Sequence, residues 1–253
     1  MSHPLLYEVF ARTWLVESGA RTLADIPDAD LDRLAAYGFD HVWLMGVWTL
    51  GPFGLATART YFPDVEVLGS PYAIARYSVD PSFGGDAALA TLRTRLARRG
   101  IRLILDFVPN HTARDHHWIT EAPELYVHEP DGTIACGKDP YFPAWTDTAQ
   151  LDHRLASTRE HVIATLLSIA ARCDGVRCDM SMLVLEDIFE RTWAQHPPSP
   201  AQPRATGELW STAIRTVRTQ HPDFTLIAEA YWNLEERLQR VGFDLGADLL
   251  HRA

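Results

Sequence analysis

Short apolar runs alternate with amphipathic segments along this chain, and three of the runs stop on a charged or polar cluster: Ile101 to His111 (IRLILDFVPNH), Gly175 to Asp179 (GVRCD) and Phe224 to Glu229 (FTLIAE). Strands that alternate with helices imply parallel βαβ units. Strand ends that bring carboxylates to one rim are how a barrel enzyme assembles an active site from distant sequence.

Leu5 to Phe10 reads as a first strand. Asp28 to Tyr37 (DADLDRLAAY) reads as an amphipathic helix with an acidic start and Gly38 as its stop. Phe39 to Trp48 is the expected second strand. Asp86 to Arg99 is a helix ending at Gly100, with acidic and basic ends that suit its dipole. Ile101 to Val108, Gly175 to Met180 and Phe224 to Ala230 follow as strands three to five, separated by helices over Ser157 to Arg172 and Leu209 to Gln220. From about Ala113 to Gln150 there are turn signals (EPDGT, CGKDP, FPAW) and no helical period, so this segment reads as an excursion from the sheet. The Pro-rich stretch His196 to Arg204 reads as an exposed loop. No GxGxxG or Walker A sequence is present, and Gly84-Gly85 before a helix reads as a turn.

At 253 residues and 47% hydrophobic, the chain can bury the core of one α/β barrel or of two smaller domains. Its net charge of −10 and its single lysine, Lys138, argue against a nucleic-acid partner. No apolar stretch approaches the roughly 20 residues of a membrane span, and MSHPLLYEVF lacks the plan of a signal peptide, so a cytoplasmic protein with no membrane partner is expected. Cys136, Cys173 and Cys178 fit neither a CxxC nor a zinc-knuckle spacing and read as free thiols.

Arg177 and Asp179, two apart on a strand, point to one face and can pair, either as a buried structural ion pair or as part of a site. Glu229 ends the next strand. Neighbouring strands lie about 4.8 Å apart, so the two carboxylates can approach the ~5 to 5.5 Å of a retaining glycosidase. Two acids this close do not both ionise cheaply, and the one without an arginine partner holds its proton. This makes Asp179 the expected nucleophile and Glu229 the expected acid/base.

In order, Asp106-Phe-Val-Pro-Asn-His111, Gly175-Val-Arg-Cys-Asp179 and Ala228-Glu229-Ala230 resemble the first three signature regions of the α-amylase family, glycoside hydrolase family 13. Ser70 to Gly85 and Trp145 to Asp152 are also similar to segments of that family, so the resemblance covers nearly the whole chain. It implies a retaining enzyme on a (β/α)₈ TIM-type barrel of the α/β class, with a small domain inserted after strand 3. Its substrates would be α-linked glucosyl compounds, as α-glucan, maltooligosaccharide or α-glucoside. By resemblance Asp179 matches the nucleophile, Glu229 the acid/base and Arg177 the residue that orients the nucleophile. Asp106 and His111 match residues lining the sugar subsite, and Tyr72 resembles the tyrosine on which the sugar stacks. Each has a plainer alternative: His111 and Asn110 as caps, Tyr72 as core. Trp48 and Trp232, just past strand ends, are candidates for sugar stacking or for packing, and His116 and His117 read as solvated loop histidines. No cofactor is implied. Asn110 matches a calcium ligand of some members, but Asp152-His153-Arg154-Leu155 stands where relatives tend to carry asparagines, and calcium stays open.

The family's fourth signature, an Asn-His-Asp, has no match after Glu229; Asp244 and Asp248 lie in GFDLGADLL, which reads as the start of a sixth strand. The expected architecture is therefore a barrel truncated after strand 5 or 6. Strands 1–3 occupy residues 1–112, the insertion 113–150, and the remaining strands 151–253. Two parallel edges would be open, which invites self-association. The alternative is a catalytically inactive sugar-binding or interaction remnant. An aldolase-type barrel would need a Schiff-base lysine, and Lys138 lies in the insertion instead of at a strand end.

Overall fold

Six parallel strands form one sheet in chain order: β1 (Leu6–Phe10), β2 (His41–Met45), β3 (Arg102–Phe107), β4 (Gly175–Cys178), β5 (Thr225–Glu229) and β6 (Leu245–Ala247). The computed structural model describes residues 4–64, 67, 69–198 and 200–247. Helices Asp28–Ala36, Gly85–Ala97, Ala156–Ala170, Leu209–Gln220 and Glu235–Val241 stand between successive strands. This is the crossover pattern of a (β/α)₈ barrel followed for six strands. Among the described residues β1 and β6 are each paired on one side only, so the sheet is a curled half-barrel with two parallel edges. Asp248 lies outside the described residues.

The four inner strands, β2 to β5, are buried on both faces, as parallel strands under helices are. On the helix side, Val42, Leu44, Leu103, Leu105, Val176, Leu226 and Ala228 are buried without exception. The inner face alternates with them and carries Trp43, Met45, Ile104 and Ile227, with Leu6, Tyr72 and Leu245 against its margin. Gly175 is level with Ile104 and Thr225, and a Cβ there would lie 2.6 Å from the Ile104 side chain and 2.5 Å from the Thr225 carbonyl. Only glycine lets β4 sit between its neighbours. Gly100, with φ of 74°, turns the chain from its helix into β3.

The expected second strand divides. β2 stops at Met45, and Trp48–Leu50 pairs antiparallel with Ile74–Val79 outside the main sheet. The break comes at Gly46, whose φ is 73° and whose N–H turns to the Asp106 carboxylate. Helices Ala11–Ser18 and Pro52–Tyr61 are further elements that the apolar pattern does not announce.

The excursion after β3 leaves and returns through a short antiparallel pair, His111–Ala113 with Thr148–Gln150. Inside it, bridges at His128/Ile134 and Gly137/Trp145 hold irregular chain, and Lys138 lies over the Trp193 ring at 4.3 Å. No described helix is long and apolar enough to cross a membrane. Cys136, Cys173 and Cys178 are free.

Candidate active site

Strand register determines which side chains meet. Asp106 is level with Arg177, and Arg177 with Ile227, so two residues further along Asp179 comes level with Glu229. The side chains of Arg177, Asp179 and Glu229 are each at most 7% exposed. Arg177 Nη1 donates to Asp179 Oδ1 at 2.7 Å, and Nη2 lies 2.7 Å from Glu229 Oε1 in an ion pair. One guanidinium therefore grips both carboxylates. This corrects the expectation that Glu229 lacks an arginine partner: the guanidinium fork spans the gap between adjacent strands, so pairing alone does not distinguish the two acids.

The surroundings do distinguish them. Burial pushes both carboxyls above their ordinary values. For Glu229 the next cause is the negative charge of Asp179, which raises it further, whereas Asp179 is drawn back by the Arg177 charge and by hydrogen bonds from Arg177 and Glu229. Asp179 ionises first and Glu229 keeps the proton longer. Glu229 also accepts from the Met180 N–H (Oε2, 2.6 Å) and from the Tyr231 hydroxyl (Oε1, 2.7 Å). Met180 adopts left-handed backbone, φ 45° and ψ 43°, which turns its N–H onto Glu229. Nε of Arg177 is buried with no hydrogen-bond partner among the described residues.

Asp106 is wholly buried, and its carboxylate accepts from the Trp43 indole at 2.9 Å and the Gly46 N–H at 2.7 Å. Burial lifts it to about 6, against the pull of those donors and of Arg177. With both oxygens engaged inside the protein, Asp106 acts on the rim through what it holds. Trp43 lies under the Arg177 guanidinium at 5.0 Å, and Tyr72 faces the same group at 5.2 Å. Cation–π contacts of this kind favour the charged guanidinium and limit its movement. The Tyr72 hydroxyl meets Met45 Sδ at 3.1 Å, and the residue is partly buried beside both apolar clusters. His111 is 5% exposed, its ring 5.3 Å from that of Trp145, and burial lowers it to about 4, so it is neutral at pH 7.

Trp48 takes the packing role, fully buried with its indole N–H on the Asp106 carbonyl at 2.8 Å. Trp232 meets Tyr141 of the insertion edge-on, ring centres 5.0 Å apart. His116 corrects a second expectation: it is 3% exposed instead of solvated, because its ring packs between His117 and Trp118 and accepts the Trp118 N–H. Trp43, Gly46, Met180 and Tyr231 were not singled out from the sequence. Only Tyr231, two residues beyond Glu229, carried a usable signal in its position.

The residues where some α-amylase family members hold calcium do not fit a cation here. The Asn110 side chain contacts His111 and accepts from Gln150 Nε2 at 3.1 Å. Both oxygens of Asp152 are bonded to Arg154 at 2.8 Å, which places a buried guanidinium where a cation would need negative charge. His153 gives Nε2 to the Pro109 carbonyl at 2.9 Å.

Comparison with known proteins agrees with this geometry. The family model "Alpha amylase, catalytic domain" matches residues 28–132. An alpha-1,4-glucan:maltose-1-phosphate maltosyltransferase of Bifidobacterium longum is 32% identical, covering 85% of this chain and 27% of its own length. A trehalose synthase/amylase of Mycolicibacterium smegmatis is 32% identical over 58% of this chain and 21% of its own. The crystal structure of an alpha-amylase from Lactobacillus plantarum superposes with a TM-score of 0.70 at 28% identity, covering 97% of this chain and 49% of that one. The chain spans about a third or less of the curated relatives it matches and about half of that solved structure. The matched segment, the relatives and the half-barrel agree in likening this chain to the α-amylase family, glycoside hydrolase family 13.

Proposed function

We propose that this chain carries the nucleophile and the acid/base of a retaining glycosidase or transglycosidase that acts on α-linked glucosyl substrates. The observation that carries the reading is the single guanidinium of Arg177 bonded to Asp179 and Glu229 at the ends of adjacent strands. Asp179, ionised first, attacks the anomeric carbon as Glu229 gives its proton to the departing glycosidic oxygen. Water or an acceptor hydroxyl then loses a proton to Glu229 and displaces Asp179 from the same carbon. Both displacements invert the carbon, so its configuration is retained. Arg177 lowers the cost of the Asp179 charge and relinquishes part of that role as the ester forms. Tyr72, against the guanidinium at the inner face, is the proposed surface for the reacting sugar, and His111 the proposed lining beside Trp145. Relatives named for α-1,4-glucan, maltose 1-phosphate and trehalose support a glucosyl substrate. A cytoplasmic setting and self-association along β1 and β6 are part of the same proposal.

The test is turnover of an aryl α-glucoside by the full-length polypeptide with Asp179→Asn or Glu229→Gln. Each variant is expected to lose turnover while still binding maltooligosaccharide. Undiminished turnover in either overturns the assignment. Sugar binding without turnover in the unsubstituted protein would favour the non-catalytic alternative.

A further inference from the structure

Glu229 meets two hydrogen-bond donors and a guanidinium, and they are unevenly shared between its oxygens. Oε1 lies 2.7 Å from Arg177 Nη2 in an ion pair and accepts from the Tyr231 hydroxyl at 2.7 Å, whereas among the described residues Oε2 accepts from the Met180 N–H at 2.6 Å and has no second partner. A carboxylate oxygen offers about two acceptor directions. Oε1 thus carries the Tyr231 donor beside the guanidinium charge, both of which oppose a proton there, and Oε2 keeps a free direction.

We propose that Tyr231 is a positioning residue for proton transfer: by donating to Oε1, the oxygen that also faces the Arg177 guanidinium, its hydroxyl restricts the exchangeable proton of Glu229 to Oε2. The inference rests on the reading of Glu229 as the acid/base. In the first step the Oε2–H bond breaks as the proton joins the leaving oxygen, and in the second the proton of water or acceptor returns to Oε2. The Tyr231 O–H bond stays intact throughout. Burial and the neighbouring Glu229 both push the phenol above its ordinary value, so it remains a donor wherever Glu229 titrates.

The backbone around it supports the assignment. Trp232 and Asn233 both adopt left-handed conformations, φ 61° and 60°, which cost energy for residues with a Cβ. The Trp232 ring is stopped against Tyr141, so the insertion braces the turn that presents Tyr231 to Glu229. A hydroxyl that merely filled space would need no such bracing.

The experiment compares Tyr231→Phe with the unsubstituted full-length polypeptide on phenyl and 2,4-dinitrophenyl α-glucosides, whose leaving groups do and do not need protonation. Losing one hydrogen bond to a carboxylate should move the basic limb of the kcat/KM profile upward by about one pH unit. The phenyl glucoside should lose roughly tenfold or more in kcat/KM and the dinitrophenyl glucoside little, as general-acid effects scale. Equal losses on both substrates with an unmoved basic limb would leave Tyr231 a structural role only. 3-Fluorotyrosine at 231, a stronger donor of nearly unchanged shape, should shift the limb downward, and an upward or absent shift overturns the proposal. Glu229→Gln run in parallel keeps the two readings apart. If it turns over the phenyl glucoside normally, the acid/base assignment itself fails. If it is inactive while Tyr231→Phe leaves the limb in place, only the inference about Tyr231 falls.

Discussion

Two buried arginine clusters, one on the barrel rim and one at the neck of the insertion, use the same groups to opposite ends. At the neck, Arg154 closes on Asp152 through two bonds of 2.8 Å, one arginine to one carboxylate, with side chains 4% and 2% exposed. On the rim, Arg177 faces Asp179 and Glu229 together, and buried Asp106 adds negative charge nearby. The Arg154–Asp152 pair is balanced in charge, one arginine to one carboxylate. The rim has more acids than its arginine can neutralise, and burial makes the surplus costly, so one carboxyl is driven to hold a proton. That imbalance makes chemistry available, and a count of salt bridges would miss it.

The sharpest way to break the comparison is kinetic. Asp179→Asn should reduce turnover by roughly 10⁴-fold, the scale on which single members of a covalent catalytic unit act. Its thermal midpoint should stay at or above that of the unsubstituted protein, because the substitution removes surplus buried charge. A large drop in both would make the rim another structural pair. Asp152→Asn should do the reverse, costing about 3–5 kcal/mol by leaving Arg154 buried and unpaired, or a midpoint roughly 10 °C lower. Turnover per folded molecule should be unchanged, and a selective loss of activity would contradict the division of roles. The smallest effect concerns His153 at the neck, which burial and the Arg159 charge lower to about 4. The unfolded chain takes up this proton near pH 6.5 and the folded chain resists it until about pH 4, so the contribution is present above 6.5 and lost as pH falls through that window. His153→Gln, which keeps a donor for the Pro109 carbonyl, should remove a slope of up to about 1.4 kcal/mol per pH unit there. Urea unfolding at a series of pH values measures it.

The strands that end on DFVPNH, GVRCD and TLIAE were legible because each couples a continuous apolar run to a polar stop, and that pattern depends only on neighbours in sequence. The meeting of Asp179 and Glu229 followed from adjacent strands in parallel register. The sharing of Arg177 did not, because the reach of a guanidinium across two strands leaves no trace in spacing. Trp43 was legible as core but not as a donor: its partner Asp106 is 63 residues away. The split at Gly46 was hidden for the same reason, since the hydrogen bond that ends β2 is made to β3. His116 was misjudged because adjacent histidines in a loop look solvated, and only the rings of His117 and Trp118 show otherwise.

One donor to Glu229 belongs to the main chain. The Met180 N–H reaches Oε2 because the backbone is left-handed at that residue. Replacing the Met180 side chain leaves this donor in place, and glycine would relieve the backbone without removing it. Proline alone lacks the hydrogen and cannot adopt the angle. Glu229 thus has one partner that is almost immune to point substitution.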